Sequence, residues 1–535
     1  MIFVENIDKS VLKDKKTCFL SLGCKVNAYE TETFKAQFEE NGAVTIAFED
    51  GGADIVVINT CSVTNIADRK SRQMLHKARK LNPNAIIVAV GCYVQAVGEK
   101  EFEGTDSDIA IGNARKDSVV DIVAEAIYRI CASNEDGIKT EGPDIPQETE
   151  APETKINIEK SDTKKTTEET VDGNKPPVPE KETRSGNQEA TGNDAFNPCH
   201  ERTRAFIKVT DGCNQFCTYC IIPYVRGRVR SRGIGDVVEE VARLSGEGYK
   251  EVVLTGIHLS SYGVDFSADA SNYEKAVADG FNGRPLLELI DEVSKISGIE
   301  RIRLGSLEPR IITEEFIDRI KNNPKVCPHF HLSLQSGSDS VLKRMKRHYT
   351  IGDYENACRI IREAYEQPSI NTDIIVGFPG ETDDEFLQTV EFAKKIRFAK
   401  IHVFKYSRRK GTVADRMPDQ VSENIKNVRS AALIEVDNED HLNYVRSFIG
   451  KKLRILTEQE EIVNGEKMMV GLTERYVKVG VRYSKDDANA LGENEVGNDK
   501  NLSLKTGLGD ISQNVFVECD IIGISGEGIL IGEVK

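Results

Sequence analysis

Between residues 17 and 131, short apolar runs alternate with amphipathic stretches. The runs "TCFLSLG", "ADIVVINT", "AIIVAVG" and "DIAIG" are typical of buried strands, and helical patterns in "AYETETFKAQFEENG" and "ADRKSRQMLHKARKLN" lie between the first three. Gly42 is placed to end the first of these helices. The alternation of strand and helix predicts an α/β domain over residues 15–131, built on a doubly wound parallel sheet.

The same alternation returns between residues 199 and 440. Six strand candidates stand out, namely "RAFIKVT", "EVVLTG", "RIRLGS", "HFHLSLQ", "TDIIVG" and "KIHVFKY", and helical patterns such as "GDYENACRIIREAYE" separate most of them. Six strand–helix units can form an open, partial (β/α)6 barrel, in which we expect the functional site at the carboxyl ends of the strands.

From residue 446 to 535 the pattern becomes one of short strands with glycine-rich turns. The segments "KKLRILTEQ", "EKMMVGLTE", "YVKVGVRY", "NVFVECDIIGIS" and "GILIGEV" predict a small all-β barrel. A polar loop over residues 484–510, rich in Asn and Asp, interrupts this pattern.

Residues 132–198 show neither the strand–helix alternation nor the pattern of short strands. The stretch from Asp144 to Asp194 is rich in Glu, Thr, Lys and Pro and contains no aromatic residue. Such a composition buries too little apolar surface to offset the entropy lost on ordering, so we expect a disordered acidic linker. From Ser133 to Pro198 acidic residues exceed basic ones by about 8, roughly half of the net charge of -16. The overall acidity therefore does not exclude a nucleic-acid partner for the other domains.

Composition narrows the class of protein further. The chain of 535 residues has no apolar run of 18 or more residues and no signal-peptide pattern at its start, so we expect a cytoplasmic protein without a membrane span. Thiols stay reduced in the cytoplasm. The 12 cysteines therefore point to metal or redox chemistry rather than to disulfides.

Three of these cysteines follow the first strand of the predicted barrel. Cys213, Cys217 and Cys220 have the spacing C-x3-C-x2-C in the loop "DGCNQFCTYC". Such a loop can bring three thiolates onto three irons of a [4Fe–4S] cluster, which leaves the fourth iron open to another ligand. A zinc site that borrows Cys199 or His200 is the alternative, but the chain shows no second C-x2-C pair of the kind that zinc ribbons use.

Three more cysteines end strands of the first domain. Cys24 follows "CFLSLG", Cys61 follows "DIVVINT" and Cys92 follows "IIVAVG". The carboxyl ends of parallel strands share one edge of a sheet, so these thiols are expected to converge there and hold a second cluster, again one ligand short. Cys18, Cys131, Cys327, Cys358 and Cys519 lack this placement and are interpreted as core or incidental residues.

Together these motifs resemble the methylthiotransferase family of radical S-adenosylmethionine (SAM) enzymes. The resemblance rests on "LGCKVN", "NTCSVTN", "GCY", "DGCNQFCTYCIIPYVRGRVRS" and the C-terminal β-barrel, which corresponds to the RNA-binding TRAM domain of that family. "GIHLSSYG", "HLSLQSG" and "DIIVGFPGET" look most like the MtaB-type subgroup. That subgroup methylthiolates C2 of N6-threonylcarbamoyladenosine at position 37 of tRNA. Subgroups that act on N6-isopentenyladenosine, or on an aspartate of a ribosomal protein, rank second and third.

The resemblance implies two [4Fe–4S] clusters and SAM as cofactors. The cluster on Cys213, Cys217 and Cys220 would bind SAM and generate a radical, and the cluster on Cys24, Cys61 and Cys92 would carry the sulfur that a second SAM methylates. A radical is needed because C2 of adenine is neither acidic nor electrophilic enough for polar chemistry. The cofactor supplies this radical. Candidate SAM contacts, chosen for their position at strand ends, are Tyr219, Thr255, Gly256, Ser306, Glu308, Gln335, Ser336 and Gly377. For Gly377, Pro379 and Gly380, a plain turn before a helix capped by Thr382 and Glu385 is an equal alternative.

Basic residues near the site are candidates for tRNA contact. The stretch "YVRGRVRSR" provides Arg226, Arg228, Arg230 and Arg232, and the β-barrel provides Arg475 and Lys478, with Tyr476, Arg482 and Tyr483 beside them. Arg226 could instead contact SAM or the cluster. A second run, Lys343, Arg344, Lys346 and Arg347, is as well explained by a solvated face.

Further partners are implied by the chemistry. An electron donor such as flavodoxin or ferredoxin and a source of sulfur are required. A protein of another class, either a non-catalytic iron–sulfur carrier or an RNA-binding regulator, is disfavoured by two cysteine sets that each stop at three.

Overall fold

The computed structural model describes residues 8–102, 105–135, 203–266, 282–483 and 513–534. Its first unit is a five-stranded sheet in which every pairing is parallel, with the order β2-β1-β3-β4-β5. The strands are β1 (Lys16–Ser21), β2 (Val44–Thr45), β3 (Ile55–Thr60), β4 (Ile86–Gly91) and β5 (Ile109–Ile111). The four predicted strands are confirmed, and the short edge strand β2 was not anticipated.

Helices cover both faces of this sheet. They are α1 (Lys25–Glu40), α2 (Asn65–Leu81), α3 (Cys92–Val97) and α4 (Val119–Glu135). One apolar core joins α1 and α4 to the sheet, and a second core joins α2 and α3 to its other face. This two-sided packing is the predicted doubly wound architecture.

The second unit is the predicted open barrel. Its six parallel strands follow chain order and are β6 (Arg204–Asp211), β8 (Glu251–Gly256), β9 (Arg301–Leu304), β10 (His329–His331), β11 (Ser369–Val376) and β12 (Lys400–Lys405). A short strand, β7 (Arg230–Ser231), pairs antiparallel with β6. Single bridges, Ile302 to Val326 and Leu307 to Leu332, join the two halves. The predicted strand "HFHLSLQ" is reduced to three residues, because after His331 the chain keeps only single bridges, at Leu332 and at Gln335.

A short helix, α5 (Ile222–Arg226), lies between β6 and β7 and packs against α3 of the first unit. The later barrel helices pack on the outer face of the barrel. They are α6 (Ile234–Gly246), α7 (Arg284–Ser294), α8 (Glu314–Lys321), α9 (Asp339–Arg344), α10 (Ile351–Ala364) and α11 (Asp383–Ile396). Alternate strand residues such as Ile207, Leu254 and Ile374 point outward into one large apolar core shared with these helices. Residues between them therefore face the interior of the barrel. The interior-facing residues are largely polar or charged.

The open side of the barrel is occupied by the first unit. Helix α1 packs against β6 and β8, so the edge of the first sheet that carries the cysteines lies beside the barrel. A long helix, α12 (Glu423–Arg446), then packs along β12 and leads to the tail.

The tail is a closed barrel with the order β13-β14-β15-β17-β16. Its strands are β13 (Lys452–Val463), β14 (Glu466–Thr473), β15 (Lys478–Tyr483), β16 (Phe516–Ile524) and β17 (Leu530–Val534), which confirms all five predicted segments. The polar loop 484–510 lies outside the described residues. Residues 132–135, assigned to the linker, are the end of α4, and the rest of the linker lies outside the described residues.

The described part of the chain contains no helix long and apolar enough to cross a membrane.

Candidate functional site

The first cysteine set converges at one edge of the parallel sheet. Cys24 precedes α1, Cys61 follows β3, and Cys92 is the first residue of α3. Burial raises the pKa of the Cys61 thiol to about 12, and the charges of Cys24 and Cys92 add to that rise because all three sulfurs lie close together. Gly23 makes this approach possible. Its φ is +107°, and a Cβ there would lie 2.6 Å from the sulfur of Cys61.

A buried arginine from the barrel reaches this set. The side chain of Arg226, at the end of α5, is fully buried. Its Nε donates to the sulfur of Cys92 at 3.1 Å, and its Nη2 donates to Oδ1 of Asn27 at 2.7 Å. Nη1 donates to Glu30 at 2.9 Å and to Asp211 at 3.0 Å. One guanidinium therefore connects the first sheet, helix α1 and strand β6.

The two carboxylates beside Arg226 are outnumbered by cations. Lys116 contacts both Glu30 and Asp211, and Lys208 lies 3.1 Å from Glu30. Burial alone would raise the pKa of Glu30, but Arg226, Lys208 and Lys116 lower it to about 2. The same three cations lower the pKa of Asp211. Three cations against two carboxylates leave a positive excess beside Cys92, which suits an anionic cluster.

The loop of Cys61 is also held from the barrel. Arg409 follows β12, and its guanidinium donates to Asn65 at 2.9 Å, to Asp68 at 2.7 Å and to Ser62, the residue after Cys61. On the other side of the set, Asn113 donates to the sulfur of Cys92 at 3.5 Å and to the carbonyl of Val225 at 2.9 Å. The geometry of the first set therefore depends on side chains from two units.

The second cysteine set lies in a compact loop after β6. Gly212 begins it with φ +72°, and a Cβ there would lie 1.9 Å from the carbonyl oxygen of Arg228, so only glycine fits. The backbone N–H of Gln215 donates to the sulfur of Cys213 at 3.5 Å. Burial raises the pKa of Cys213 to about 12 and also raises that of Cys220. The charges of neighbouring cysteines in this set contribute to both rises, so these sulfurs too are neighbours.

A second arginine serves this loop. Nη1 of Arg347 donates to the sulfur of Cys217 at 3.1 Å, and its Nε donates to the hydroxyl of Tyr349 at 3.1 Å. The Tyr349 hydroxyl donates in turn to backbone carbonyls of Ser333 and Leu334. Arg347 is thus fixed to the carboxyl end of β10 and points at the loop.

The donor sets suit iron–sulfur clusters. Each set offers three sulfurs, an N–H donor to sulfur and a nearby guanidinium, the features that hold and tune a [4Fe–4S] cluster with one open iron. A four-ligand zinc site would need Cys199 or His200, and both lie outside the described residues. Cys18, Cys358 and Cys519 are buried in apolar cores, as expected of structural cysteines. Cys327 is also buried, but near the charges of Arg303 and Glu251.

The SAM candidates lie at the carboxyl edge of the barrel, beside the cysteine loop. Thr255 and Gly256 end β8, Ser306 and Glu308 follow β9, Gln335 and Ser336 follow β10, and Gly377 follows β11. The ring of Tyr219 packs against a small apolar cluster that contains Phe378 and Tyr406. Their positions at or after strand ends are as expected, and their contact with SAM stays a prediction.

Individual side chains in this group differ in what they offer. Glu308 is buried and accepts from Nε of Arg310 at 2.8 Å, while its Oε2 has no hydrogen-bond partner among the described residues. The hydroxyl of Ser336 turns away to Thr389 of α11 at 3.3 Å. Gly377 lies in the turn before α11, whose Thr382–Glu385 capping box is present as predicted. Glu308 is therefore the strongest candidate for a polar ligand group.

Two of the predicted RNA contacts need correction. Arg226 cannot reach a phosphate, because its side chain is fully buried among Glu30, Asp211, Asn27 and Cys92. Arg475 is occupied in joining the tail to the barrel unit. Its Nε donates to the carbonyl of Gln367 at 2.9 Å and its Nη2 to that of Glu366 at 3.1 Å.

The other basic candidates remain at the surface to different degrees. Arg228 and Arg230 are exposed, whereas Arg232 is partly buried and paired with Glu240 at 2.5 Å. Lys478 pairs with Glu461 at 2.7 Å and is half exposed. Arg230 and Arg232 also line a cavity of about 560 Å³ between the first unit and the barrel, together with Lys116, Lys208 and Asp211.

Several site residues were not found from the sequence. For Arg347 the sequence predicted either an RNA contact or a solvated face and no contact with a cysteine, and Glu30, Lys116 and Arg409 were not singled out. The one available signal was the position of Arg226 directly after the cysteine loop, which had suggested contact with SAM or a cluster. Tyr476, placed with the RNA contacts, instead lies against His329 of the barrel with ring centroids 4.8 Å apart.

Family models match two parts of the chain. Residues 207–393 match the radical SAM superfamily, and residues 16–112 match the uncharacterized protein family UPF0004. These ranges contain the second and first cysteine sets respectively.

Curated relatives match over most of their length. The chain is 36% identical to threonylcarbamoyladenosine tRNA methylthiotransferase MtaB of Bacillus subtilis, over 88% of this chain and 90% of that protein. It is 36% identical to the protein of the same name from Aquifex aeolicus, over 87% of this chain and 98% of that one. It is 33% identical to tRNA-2-methylthio-N(6)-dimethylallyladenosine synthase of Pelotomaculum thermopropionicum, over 84% of this chain and 87% of that protein.

Among solved structures, the radical SAM methyltransferase TsrM of Kitasatospora setae is similar at 15% identity and a TM-score of 0.45, over 73% of this chain and 72% of that one.

Proposed function

The chain belongs to the radical SAM tRNA methylthiotransferase family, and from this premise we propose that it methylthiolates C2 of N6-threonylcarbamoyladenosine at position 37 of tRNA. Enzymes of this class use [4Fe–4S] clusters and SAM. The observation that carries the proposal is the pairing of two three-cysteine sets, one on each side of the contact between the first sheet and the open barrel. The names of the relatives in Bacillus subtilis and Aquifex aeolicus support this substrate.

The chain's own residues divide the work. Cys213, Cys217 and Cys220 would hold one cluster, and Cys24, Cys61 and Cys92 the other. When bound, these clusters and SAM supply radical and methyl-transfer chemistry that no side chain provides. The protein contributes ligands of fixed geometry and a site shaped around the substrate base.

Two arginines set the electrostatics at the sulfurs. Arg226 and Arg347 each donate one hydrogen bond to a cysteine sulfur, and each brings a permanent positive charge next to it. Such contacts stabilise the more negative, reduced state of a cluster. Both guanidiniums are fixed by further hydrogen bonds, so they need no rearrangement during the reaction.

SAM would bind along the carboxyl ends of the strands. Oε2 of buried Glu308 makes no hydrogen bond among the described residues, lies 3.6 Å from Nε2 of His258, and is placed to accept from a cationic amino group. Thr255, Gly256, Ser306, Gln335 and Tyr219 lie along the same edge. Ser336 and Gly377 would act through the shape of the backbone, because the Ser336 hydroxyl points to α11. Arg228, Arg230 and Lys478, with Arg232 behind them, would contact tRNA phosphates, and the closed tail barrel would act as a TRAM-like RNA-binding domain.

Mass spectrometry of tRNA nucleosides from a strain that lacks this gene tests the proposal. Loss of 2-methylthio-N6-threonylcarbamoyladenosine, restored by the wild-type gene but not by a Cys24→Ala copy, is the expected result. Loss of the 2-methylthio-isopentenyl nucleoside instead would assign the second substrate, which the similarity to the Pelotomaculum thermopropionicum enzyme keeps open.

Anaerobic reconstitution tests the enzyme class separately. The expected outcome is about eight irons per chain, two clusters of four, together with reductant-dependent cleavage of SAM. Flavodoxin and ferredoxin can be compared as electron donors in the same assay, and sulfide can be compared with persulfide as the sulfur source.

A further inference from the structure

Three polar side chains lie side by side inside the barrel. His331 ends β10, Asp373 lies in β11 and His402 in β12, where Asp373 and His402 are register partners. Their sequence neighbours Phe330, Ile374 and Ile401 point outward into the apolar core. Nε2 of His331 lies 3.0 Å from Oδ2 of Asp373, and the two imidazole rings are stacked with centroids 5.5 Å apart. The group is therefore one continuous polar patch on the inner wall.

This patch is open to the interior. The side chains of His331 and Asp373 are 16% and 26% exposed, although both are on central strands. Burial raises the pKa of Asp373, but His331, His402 and Lys25 together lower it below its usual value. An ionised carboxylate with two imidazoles beside it can both accept and donate hydrogen bonds.

A lysine from the first unit faces the same space. Lys25 follows Cys24 directly and is the first residue of α1, the helix that fills the open side of the barrel. It is exposed, and its Nζ lies 5.7 Å from the ring centroid of Tyr476. Its contact with Tyr476, which lies on His329, places it over the barrel interior, and its charge contributes to the lowered pKa of Asp373. Among the residues that the structure describes, no carboxylate lies within ion-pairing distance of this amino group.

The floor of the space is closed by the tail. Tyr476 lies on His329, and Arg303 and Arg204 pack over the same tyrosine ring, with their guanidinium carbons 4.1 Å and 5.2 Å from its centroid. Arg303 is fully buried and pairs with Glu251 at 2.9 Å. The chamber above this floor thus has a closed base, an imidazole–carboxylate wall and the ammonium group of Lys25, which pairs with no carboxylate in the part of the chain that the structure describes.

We propose that this chamber binds the N6 substituent of the substrate base, with Lys25 pairing with its carboxylate and His402, His331 and Asp373 binding its hydroxyl and N–H groups. The inference rests on the proposed function. A threonylcarbamoyl group carries one carboxylate, one hydroxyl and N–H donors, whereas an isopentenyl group carries none of these. The Lys25 ammonium, which pairs with no carboxylate among the described residues, matches the single anion of the substituent, and Lys25 becomes the residue that selects the acidic substituent.

A divalent metal is the other ligand that this donor set could take. One ligand atom from each of His331, Asp373 and His402 can lie within 4.8 Å of the others. Two observations favour the organic substituent. The imidazole planes are 11° apart in a stack, and the Lys25 ammonium that acts on Asp373 would repel a cation.

Binding to modified RNA tests the inference. Three anticodon stem-loops are compared, in which position 37 carries N6-threonylcarbamoyladenosine, its carboxylate methyl ester, or N6-isopentenyladenosine. Dissociation constants are measured anaerobically with the reconstituted full chain, without reductant. Wild type is expected to bind the acid about 10- to 100-fold more tightly than the ester, the range of a hydrogen-bonded charge.

The variants separate charge from structure. Lys25→Met should reduce the acid-to-ester ratio to near unity, and Lys25→Arg should retain most of it. Lys35→Met is the matched control, because Lys35 lies on the same helix and faces Glu39 at 3.9 Å. That variant should keep the wild-type ratio. His402→Phe should also lower the acid-to-ester ratio. His402 is remote in sequence from every predicted cluster ligand, so this variant decides the test if Lys25→Met loses iron.

Different results would overturn the proposed function and the proposed role of the chamber. Wild-type protein that modifies the isopentenyl RNA and not the threonylcarbamoyl RNA overturns the proposed function. Wild-type protein that modifies the threonylcarbamoyl RNA, while Lys25→Met and His402→Phe keep the full acid-to-ester ratio, overturns this inference alone. One zinc or manganese per chain that is lost in His402→Phe, with the ratio unchanged, would also overturn it and assign the wall as a metal site.

Discussion

The two cysteine sets are built in different ways. Cys213, Cys217 and Cys220 come from one loop, whose shape is fixed locally by Gly212. Cys24, Cys61 and Cys92 come from three strand ends, and their surroundings are completed by Arg226 and Arg409 from the barrel. One set is a local motif, whereas the other exists only where two units meet.

This difference indicates what each cluster depends on. A local loop can bind its cluster whenever the barrel is folded. The first set needs the barrel in place, because Arg226 supplies both a donor to Cys92 and the counter-charge to Glu30 and Asp211. Coupling of this kind makes the relative position of the two clusters part of the fold.

The largest expected effects come from removing one ligand of each set. Cys213→Ala should abolish SAM cleavage, because its cluster is the proposed source of the radical. Cys24→Ala should preserve SAM cleavage and abolish methylthiolation, because only sulfur insertion depends on the first set. Quantification of 5′-deoxyadenosine and of modified RNA by mass spectrometry checks both, and equal loss of cleavage in the two variants would contradict this division of roles.

Arg226→Met should damage the first set more than the second. Its removal leaves Glu30 and Asp211 buried with fewer counter-charges, a change that costs about 3–5 kcal/mol of unfolding free energy. Iron should fall toward four per chain, with SAM cleavage retained by the remaining cluster. Arg228→Met, at an exposed position nearby, should leave iron and stability unchanged, and full iron content in Arg226→Met would show that the two units do not depend on each other.

Acid should weaken the contact between the units in cluster-free protein. The pKa of Glu30 falls from 4.5 to about 2 on folding. Its contribution to stability is therefore complete above about pH 4.5 and is lost as the pH falls toward 2, with an upper limit of about 3 kcal/mol. Urea unfolding between pH 6 and 3 measures this change in the free energy of unfolding. Glu30→Gln should show a flatter pH dependence, and parallel curves would refute this role of Glu30.

Arg347→Met should act on the second set without unfolding the chain. Loss of a donor and a positive charge beside Cys217 makes cluster reduction harder, so its reduction potential should fall. SAM cleavage should slow by about tenfold or more, in line with the loss of one charge-assisted hydrogen bond. Redox titration followed by electron paramagnetic resonance reports the potential, and Lys343→Met on the nearby exposed surface serves as the control.

The smallest effect is expected from shortening the linker. Deletion of residues 141–189 removes much of the acidic segment and keeps every described residue that links the two units. Iron content and methylthiolation should stay close to wild type. Loss of the cluster on Cys24, Cys61 and Cys92 in this deletion would show that the first set needs the segment as well as the barrel.

The sequence was sufficient where the signal is local. Short apolar runs alternating with helical patterns predicted the parallel sheet and the open barrel, and short strands with glycine-rich turns predicted the tail barrel. The spacing of Cys213, Cys217 and Cys220 predicted their loop. Strand-end positions also predicted that Cys24, Cys61 and Cys92 share an edge. The short strand β2 and the full length of α12 carry weaker patterns and were missed.

The burial of a side chain and its pairing with residues far away in the sequence could not be predicted. Arg226 and Arg228 are two residues apart in one basic run, yet one is fully buried and the other exposed. That difference is decided by Glu30, nearly 200 residues away, which no local pattern connects to Arg226. The same holds for Arg409, whose partners Asn65 and Asp68 lie in the first unit.

The hydrogen bonds between the tail and the barrel fix the distance from the tail to the chamber. Arg301 donates to carbonyls of Leu472 and Arg454, Arg303 to those of Glu474 and Thr473, and Tyr476 lies in the barrel floor. Since the tail is proposed to bind RNA, its fixed position would hold the bound RNA at a set distance from the chamber. A nucleotide would then be selected by its place along the strand as well as by its chemistry.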